Sequence, residues 1–174
     1  SFRLLSDKLA VTARGVRESI AAGEVSTMAE RVGRFFRETG GGARVVVGAM
    51  PFDRMAADFL FQPETIDFGA DARRGAGAYR TAATSGARWL VAPAPDAAAY
   101  SEAVRACLAR MSDPELRKVV LSRSLLATAG SPIDVDGVFH NLSADGSVTA
   151  FMTQLSSEPS APRVLVGATP ELLV

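Results

Sequence analysis

Cysteine and histidine are almost absent: the 174 residues hold one of each, Cys107 and His140. A single cysteine excludes an internal disulfide and a multi-cysteine zinc site, and it fits a reducing cytoplasm. A single histidine excludes the HExxH zinc motif and histidine-rich metal clusters. An excess of either charge is also missing, since 19 Lys and Arg face 19 Asp and Glu. That balance excludes a nucleic-acid or membrane-surface binder working by bulk charge. No apolar run approaches the roughly 20 residues that cross a bilayer, and Ser1-Phe2-Arg3-Leu4-Leu5 lacks the apolar core of a signal peptide. There is no Gly-x-Ser-x-Gly nucleophile elbow. Any chemistry therefore falls to carboxylates, lysine, arginine and hydroxyls.

What is present describes a globular chain: 48% hydrophobic and 22% charged residues, enough to bury a core. The first seventeen residues read as extended, with Leu9, Val11 and Ala13 alternating against Ala10, Thr12 and Arg14. Ser26 or Thr27 is placed to cap a helix over 28–38, and Gly40-Gly41-Gly42 stops it. That triple glycine precedes a strand instead of opening a helix, so it does not read as a phosphate loop. A buried strand is predicted over 43–50, closed by Pro51-Phe52-Asp53, with 58–62 as its neighbour. Residues 69–87 read as a surface loop. Further strands are predicted over 88–92, 117–128, 147–155 and 163–174, the last interrupted at Pro170, with helices over 96–111 and 133–142. Cys107 falls in the apolar stripe of the first of these helices and reads as a core residue. His140, beside Phe139, reads as packed or surface. Strands and helices do not alternate strictly, which favours an α+β fold with antiparallel sheets.

Two places carry candidate chemistry. In Arg117-Lys118-Val119-Val120-Leu121-Ser122-Arg123, alternation along a strand puts Lys118, Val120 and Ser122 on one face. Lys118 is then either a solvated edge charge or an amine held partly buried. In Val166-Gly167-Ala168-Thr169-Pro170-Glu171-Leu172-Leu173, Pro170 removes a ladder N–H and Glu171 sits beside the break among aliphatics. Glu171 is either a solvent-facing carboxylate or a desolvated carboxyl that keeps its proton, as a general acid must. The apolar strand running to Val174 predicts that a further segment or second fragment completes the sheet.

Together these segments resemble the chorismate-utilising enzymes, most closely the isochorismate synthases of siderophore and salicylate pathways. Val45-Val46-Val47-Gly48-Ala49-Met50-Pro51-Phe52-Asp53 is similar to the N-terminal "VGAxPFD" strand and turn of that family. Lys118-Val119-Val120-Leu121-Ser122-Arg123 is similar to its "KVVLSR" strand. Gly167-Ala168-Thr169-Pro170-Glu171-Leu172-Leu173 is similar to its "GASPELL" segment, with Thr169 where Ser is usual. The three stretches occur in the family's order.

The resemblance implies the N-terminal half of the chorismate-binding fold, the one shared with anthranilate synthase component I. Residues 1–95 would form its N-terminal part and 96–174 the start of the catalytic region. It implies chorismate as substrate and Mg²⁺ as cofactor, with the metal ligands and the carboxylate clamps in a C-terminal half. It implies Lys118 as the base that activates water and Glu171 as the acid that protonates the departing hydroxyl. It also implies that residues 1–174 alone are inactive. Salicylate synthase keeps the same lysine and is the nearest alternative. A non-catalytic small-molecule-binding or assembly module is the reading from another class.

Overall fold

The computed structural model describes residues 1–39, 42–70, 72, 88–156, 158, 160 and 162–171. Most of the predicted loop over 69–87 lies outside them. In chain order the elements are β1 (Phe2–Leu5), β2 (Ala10–Arg14), β3 (Glu18–Ser19), α1 (Met28–Glu38), β4 (Val47–Ala49), β5 (Phe59–Gln62) and β6 (Thr65–Phe68). There follow β7 (Trp89–Ala94), α2 (Ala97–Arg110), β8 (Ser124–Ala129), α3 (Val135–Ser143), β9 (Thr149–Gln154) and β10 (Val164–Thr169). Every strand pair is antiparallel, so the fold is α+β as expected. Residues 1–82 with 134–174 form one compact unit, and 83–133 form a second.

The first unit is layered by the side-chain alternation of its strands. Its larger sheet has the order β10-β9-β1-β2-β6 and its smaller one β3-β5-β4. Strand β5 is apolar on both faces. Leu60 packs with Ile20 and Phe35 among Met28 and Val32 of α1. Its neighbours Phe59 and Phe61 turn the other way, to Ala13, Phe2 and Ile66 of the larger sheet. The smaller sheet is therefore held between α1 and the larger sheet. Helix α3 covers the remaining face through Phe139, which packs on Ala150 and Met152 with Leu5 and Val166 alongside. Arg3 of β1 crosses to this helix, 2.9 Å from Asp136 and 5.7 Å from the centre of the Phe139 ring.

Helix α1 covers the predicted residues, but its start is not made by a side-chain cap. A 3-10 turn over Val25–Thr27 leads into it, and the Thr27 hydroxyl donates to the Glu24 carbonyl (2.9 Å) instead of accepting from the helix. The helix is held down by Arg31. Its guanidinium reaches both carboxylate oxygens of Asp58 (3.1 and 2.5 Å) and the carbonyls of Ala21 (2.7 Å) and Glu24 (3.2 Å), while its Nε donates to the Thr27 hydroxyl (2.9 Å). Asp58 also accepts from the Gly23 amide (3.2 Å). The Asp58 side chain is fully buried and that of Arg31 is 13% exposed. Sequence periodicity carries no signal for such a pair, because both residues look like ordinary surface charges.

Three sequence expectations are corrected. The strand over 43–50 is restricted to Val47–Ala49. The strand over 117–128 begins only at Ser124. Ser124 pairs with Ala94, and the next partner would be Pro95, which has no N–H and lies at the turn where Asp96 caps α2 through the Ala99 amide (2.8 Å). The strand over 163–174 is interrupted at Pro170 as expected, with β10 ending at Thr169, and 172–174 lie outside the described residues. Finally, no residue of α2 is buried, and Cys107 is half-buried instead of a core residue. Two strands and one helix are too little to enclose a core within the second unit.

Truncating Arg31 leaves a buried carboxylate without its partner, so Arg31→Ala is expected to lower stability by about 3–5 kcal/mol. Arg34, in an exposed pair with Glu30 (2.7 Å), serves as the control, and Arg34→Ala is expected to change stability by about 0.5 kcal/mol or less. Urea denaturation followed by circular dichroism measures both.

Candidate functional site

The first of the three motif stretches is built around a glycine. Gly48 has a φ of 150°, and a Cβ there would lie 2.0 Å from the Phe59 carbonyl oxygen. Only glycine lets β4 approach β5 this closely. After β4 the chain turns through Pro51-Phe52-Asp53, where the Asp53 carboxylate accepts from the Met55 amide (3.0 Å) and the Phe52 ring is exposed.

Lys118 belongs to the second unit. It lies in the irregular segment ahead of β8 and not on a strand. Burial still alternates there: Val119 and Leu121 are half-buried, while Lys118, Val120 and Ser122 are exposed. Of the two readings left open for this lysine, the solvated one describes it in this unit. Nearby, Arg123 lies over the Tyr100 ring at 5.7 Å.

Glu171 belongs to the first unit, just past the end of β10. Gly167 pairs with Phe151 across the β9–β10 ladder, and a Cβ at Gly167 would come within 2.7 Å of the Phe151 ring. The glycine thus lets that ring lie against the strand. Thr169 closes the ladder opposite Thr149, and Pro170 cannot extend it. The Thr169 hydroxyl accepts the Glu171 amide (3.2 Å) and donates to Oε2 of Glu171. That hydroxyl first, and then the Glu171 amide, hold the carboxyl below the usual carboxylate range. Of the two readings left open for Glu171, the solvent-facing one describes it in this unit, because Glu171 is exposed and its hydrogen bonds favour the charged form. Beside it, Pro170 borders a cleft lined by Ser6, Lys8 and Leu9 of the β1–β2 turn and by Ser147 and Thr149.

Lys118 and Glu171 are thus carried by different units, each set by its own local surroundings. The Thr169 hydroxyl was not anticipated as a partner of Glu171, although a Thr two residues ahead of a carboxylate, across a proline, is a local signal for such a turn. Among the described residues, no three His, Cys, Asp or Glu side chains gather as a metal site requires. The donor set for Mg²⁺ does not fit here, and no step is derived through it.

The α+β scaffold is shared with a solved structure, and a family model matches the sequence. A family model described as chorismate binding enzyme matches residues 73–174. That is more than half of the chain, which therefore belongs to the chorismate binding enzyme family. Among individual relatives, isochorismate synthase DhbC of Bacillus subtilis (strain 168) is 32% identical over 184 residues, an alignment covering all of this chain and 46% of that protein. A crystal structure described as a 2,3-dihydroxybenzoate-specific isochorismate synthase, DhbC, from Bacillus anthracis matches with a TM-score of 0.74 at 26% identity, covering 99% of this chain and 44% of that one. The chain spans a little under half the length of these relatives.

A methyl group at Gly48 would collide with backbone, which cannot swing aside as a side-chain end can. Gly48→Ala is expected to lower stability by about 3 kcal/mol, the upper part of the range for overpacking. Gly167→Ala meets only the movable ring of Phe151 and is expected to cost about 1 kcal/mol. Thermal unfolding of the two variants, side by side, tests the order.

Proposed function

We propose that this chain forms part of an isochorismate synthase, with residues 96–174 as the start of its catalytic region. The observation that carries the proposal is the 32% identity, over the whole chain, to isochorismate synthase DhbC of Bacillus subtilis. The reaction moves a hydroxyl around the ring of chorismate. Water adds to the ring carbon beside the carboxylate-bearing one, and the hydroxyl para to the carboxylate departs as water once protonated. Lys118 takes a proton from the attacking water, and Glu171 gives one to the departing oxygen. Hydroxide is a poor leaving group, so the acid is indispensable.

Both roles require burial, and each side chain is exposed within its own unit. A neutral base and a protonated acid are both favoured by burial, which disfavours the charged form of a lysine and of a carboxylate alike. Substrate and a segment equivalent to the rest of the relatives' length would provide that burial. The ligands of Mg²⁺ are assigned to the same segment. The single cysteine supports a cytoplasmic location.

The test is made on the enzyme with that segment present, incubated with chorismate and Mg²⁺, with and without an ammonium salt, and its product identified by NMR. Isochorismate is expected. Salicylate with pyruvate would identify a salicylate synthase instead, and an aminated product would remove the role given to Lys118. Lys118→Ala and Glu171→Gln are each expected to lower kcat by about 10²–10⁴-fold with folding retained. Residues 1–174 alone are expected to show negligible turnover.

A further inference from the structure

We infer that Thr169 is a positioning residue for Glu171: its hydroxyl, bonded to both the amide and the carboxyl of Glu171, aims that carboxyl from the end of β10. The inference rests on the reading of Glu171 as the acid. The chain between the two residues has little freedom. Thr169 is fixed by its pairing with Thr149, and Pro170 locks its own φ near about −65°. The branched side chain of Thr169 is stiff at χ1. What remains soft is the Glu171 side chain, and the hydroxyl holds its far end at Oε2 as well as its amide at 3.2 Å.

A hydroxyl suits this place because it has one proton and two lone pairs. One lone pair takes the Glu171 amide. While Glu171 is ionised, the hydroxyl proton points to its carboxylate. When Glu171 carries the proton, the second lone pair can accept it, so the tether survives both states of an acid that gives up and regains a proton each turnover. Because donation to the charged form favours ionisation, the same bond makes Glu171 a readier proton donor to a departing hydroxide. Among the described residues, the charged groups on the neighbouring turns are Asp7 and Lys8 beside the cleft that Pro170 borders, and Asp145 on the turn before β9, whose carboxylate is engaged by the Ser147 hydroxyl (2.6 Å).

The experiment compares Thr169→Val, Thr169→Ser and Glu171→Gln in the enzyme assayed with chorismate and Mg²⁺. It also follows the Glu171 carboxyl by ¹³C NMR across the pH range in the two Thr169 variants and the parent. Thr169→Val is expected to lower kcat by about 10- to 100-fold, the scale of a misplaced catalytic group, with KM little changed. Removing the donor raises the Glu171 pKa, so its NMR titration and the matching inflection of the kcat profile should both move to higher pH. Thr169→Ser should restore both, because serine keeps the hydroxyl. An unmoved titration in Thr169→Val, or a serine variant that behaves like valine, would overturn the inference whatever happens to kcat. Full turnover in Glu171→Gln would instead overturn the reading of Glu171 as the acid, while the NMR titration would still decide whether Thr169 holds it.

Discussion

Strand β5 is only four residues long, yet it is the one strand of the smaller sheet that must satisfy two apolar faces at once. Leu60 faces α1, and Phe59 and Phe61 face the larger sheet. If β5 moved in register by one residue, Leu60 and Phe61 would exchange faces, and Gln62, which is buried and donates to the Ala43 carbonyl (2.7 Å), would follow them. Three features hold the register. Gly48 lets β4 come close enough to pair, Asp58 anchors the residue just before the strand to Arg31, and the Arg17 amide bonds the Gln62 carbonyl at its end (2.9 Å). The layered unit depends on this arrangement, and so does the placing of β1 and β9, on which β10 is built.

The acid candidate benefits from that depth indirectly. Glu171 is itself exposed, but it follows a strand paired to β9, which pairs to β1, whose Phe2 packs into the core shared with β5. A group that must deliver a proton to one atom is best carried on a rigid element, with a short tether. Thr169 and Pro170 supply the tether. Lys118 has no comparable support in its own unit, since the segment before β8 has no ladder partner among the described residues and α2 is half-exposed or exposed along its length. The two candidates therefore differ physically: one is held at a strand end by its neighbours, and the other depends on what surrounds it.

Much of the architecture was legible because periodicity is a local property. Helix α1, the pairing of 58–62 with the strand before it, the antiparallel α+β class and the break at Pro170 follow from side-chain alternation, helical spacing and the missing proline N–H. The three motif stretches, and with them Lys118 and Glu171, are local strings of residues and could be matched by type alone. Strand limits were less legible. Whether Arg117–Arg123 forms a strand depends on a partner, and the partner's continuation is Pro95, more than twenty residues away.

The sequence by itself determined the class of fold, the family resemblance and the identity of the two candidate groups, since these rest on residue type and spacing. Only the tertiary structure decided that Arg31 and Asp58 are one buried pair, that Gly48 is required by the Phe59 carbonyl, and that Glu171 is exposed and held by Thr169. Those are consequences of which atoms meet: Asp58 and Glu171 are both ordinary acidic residues in the sequence, yet one is buried against a guanidinium and the other is exposed beside a hydroxyl.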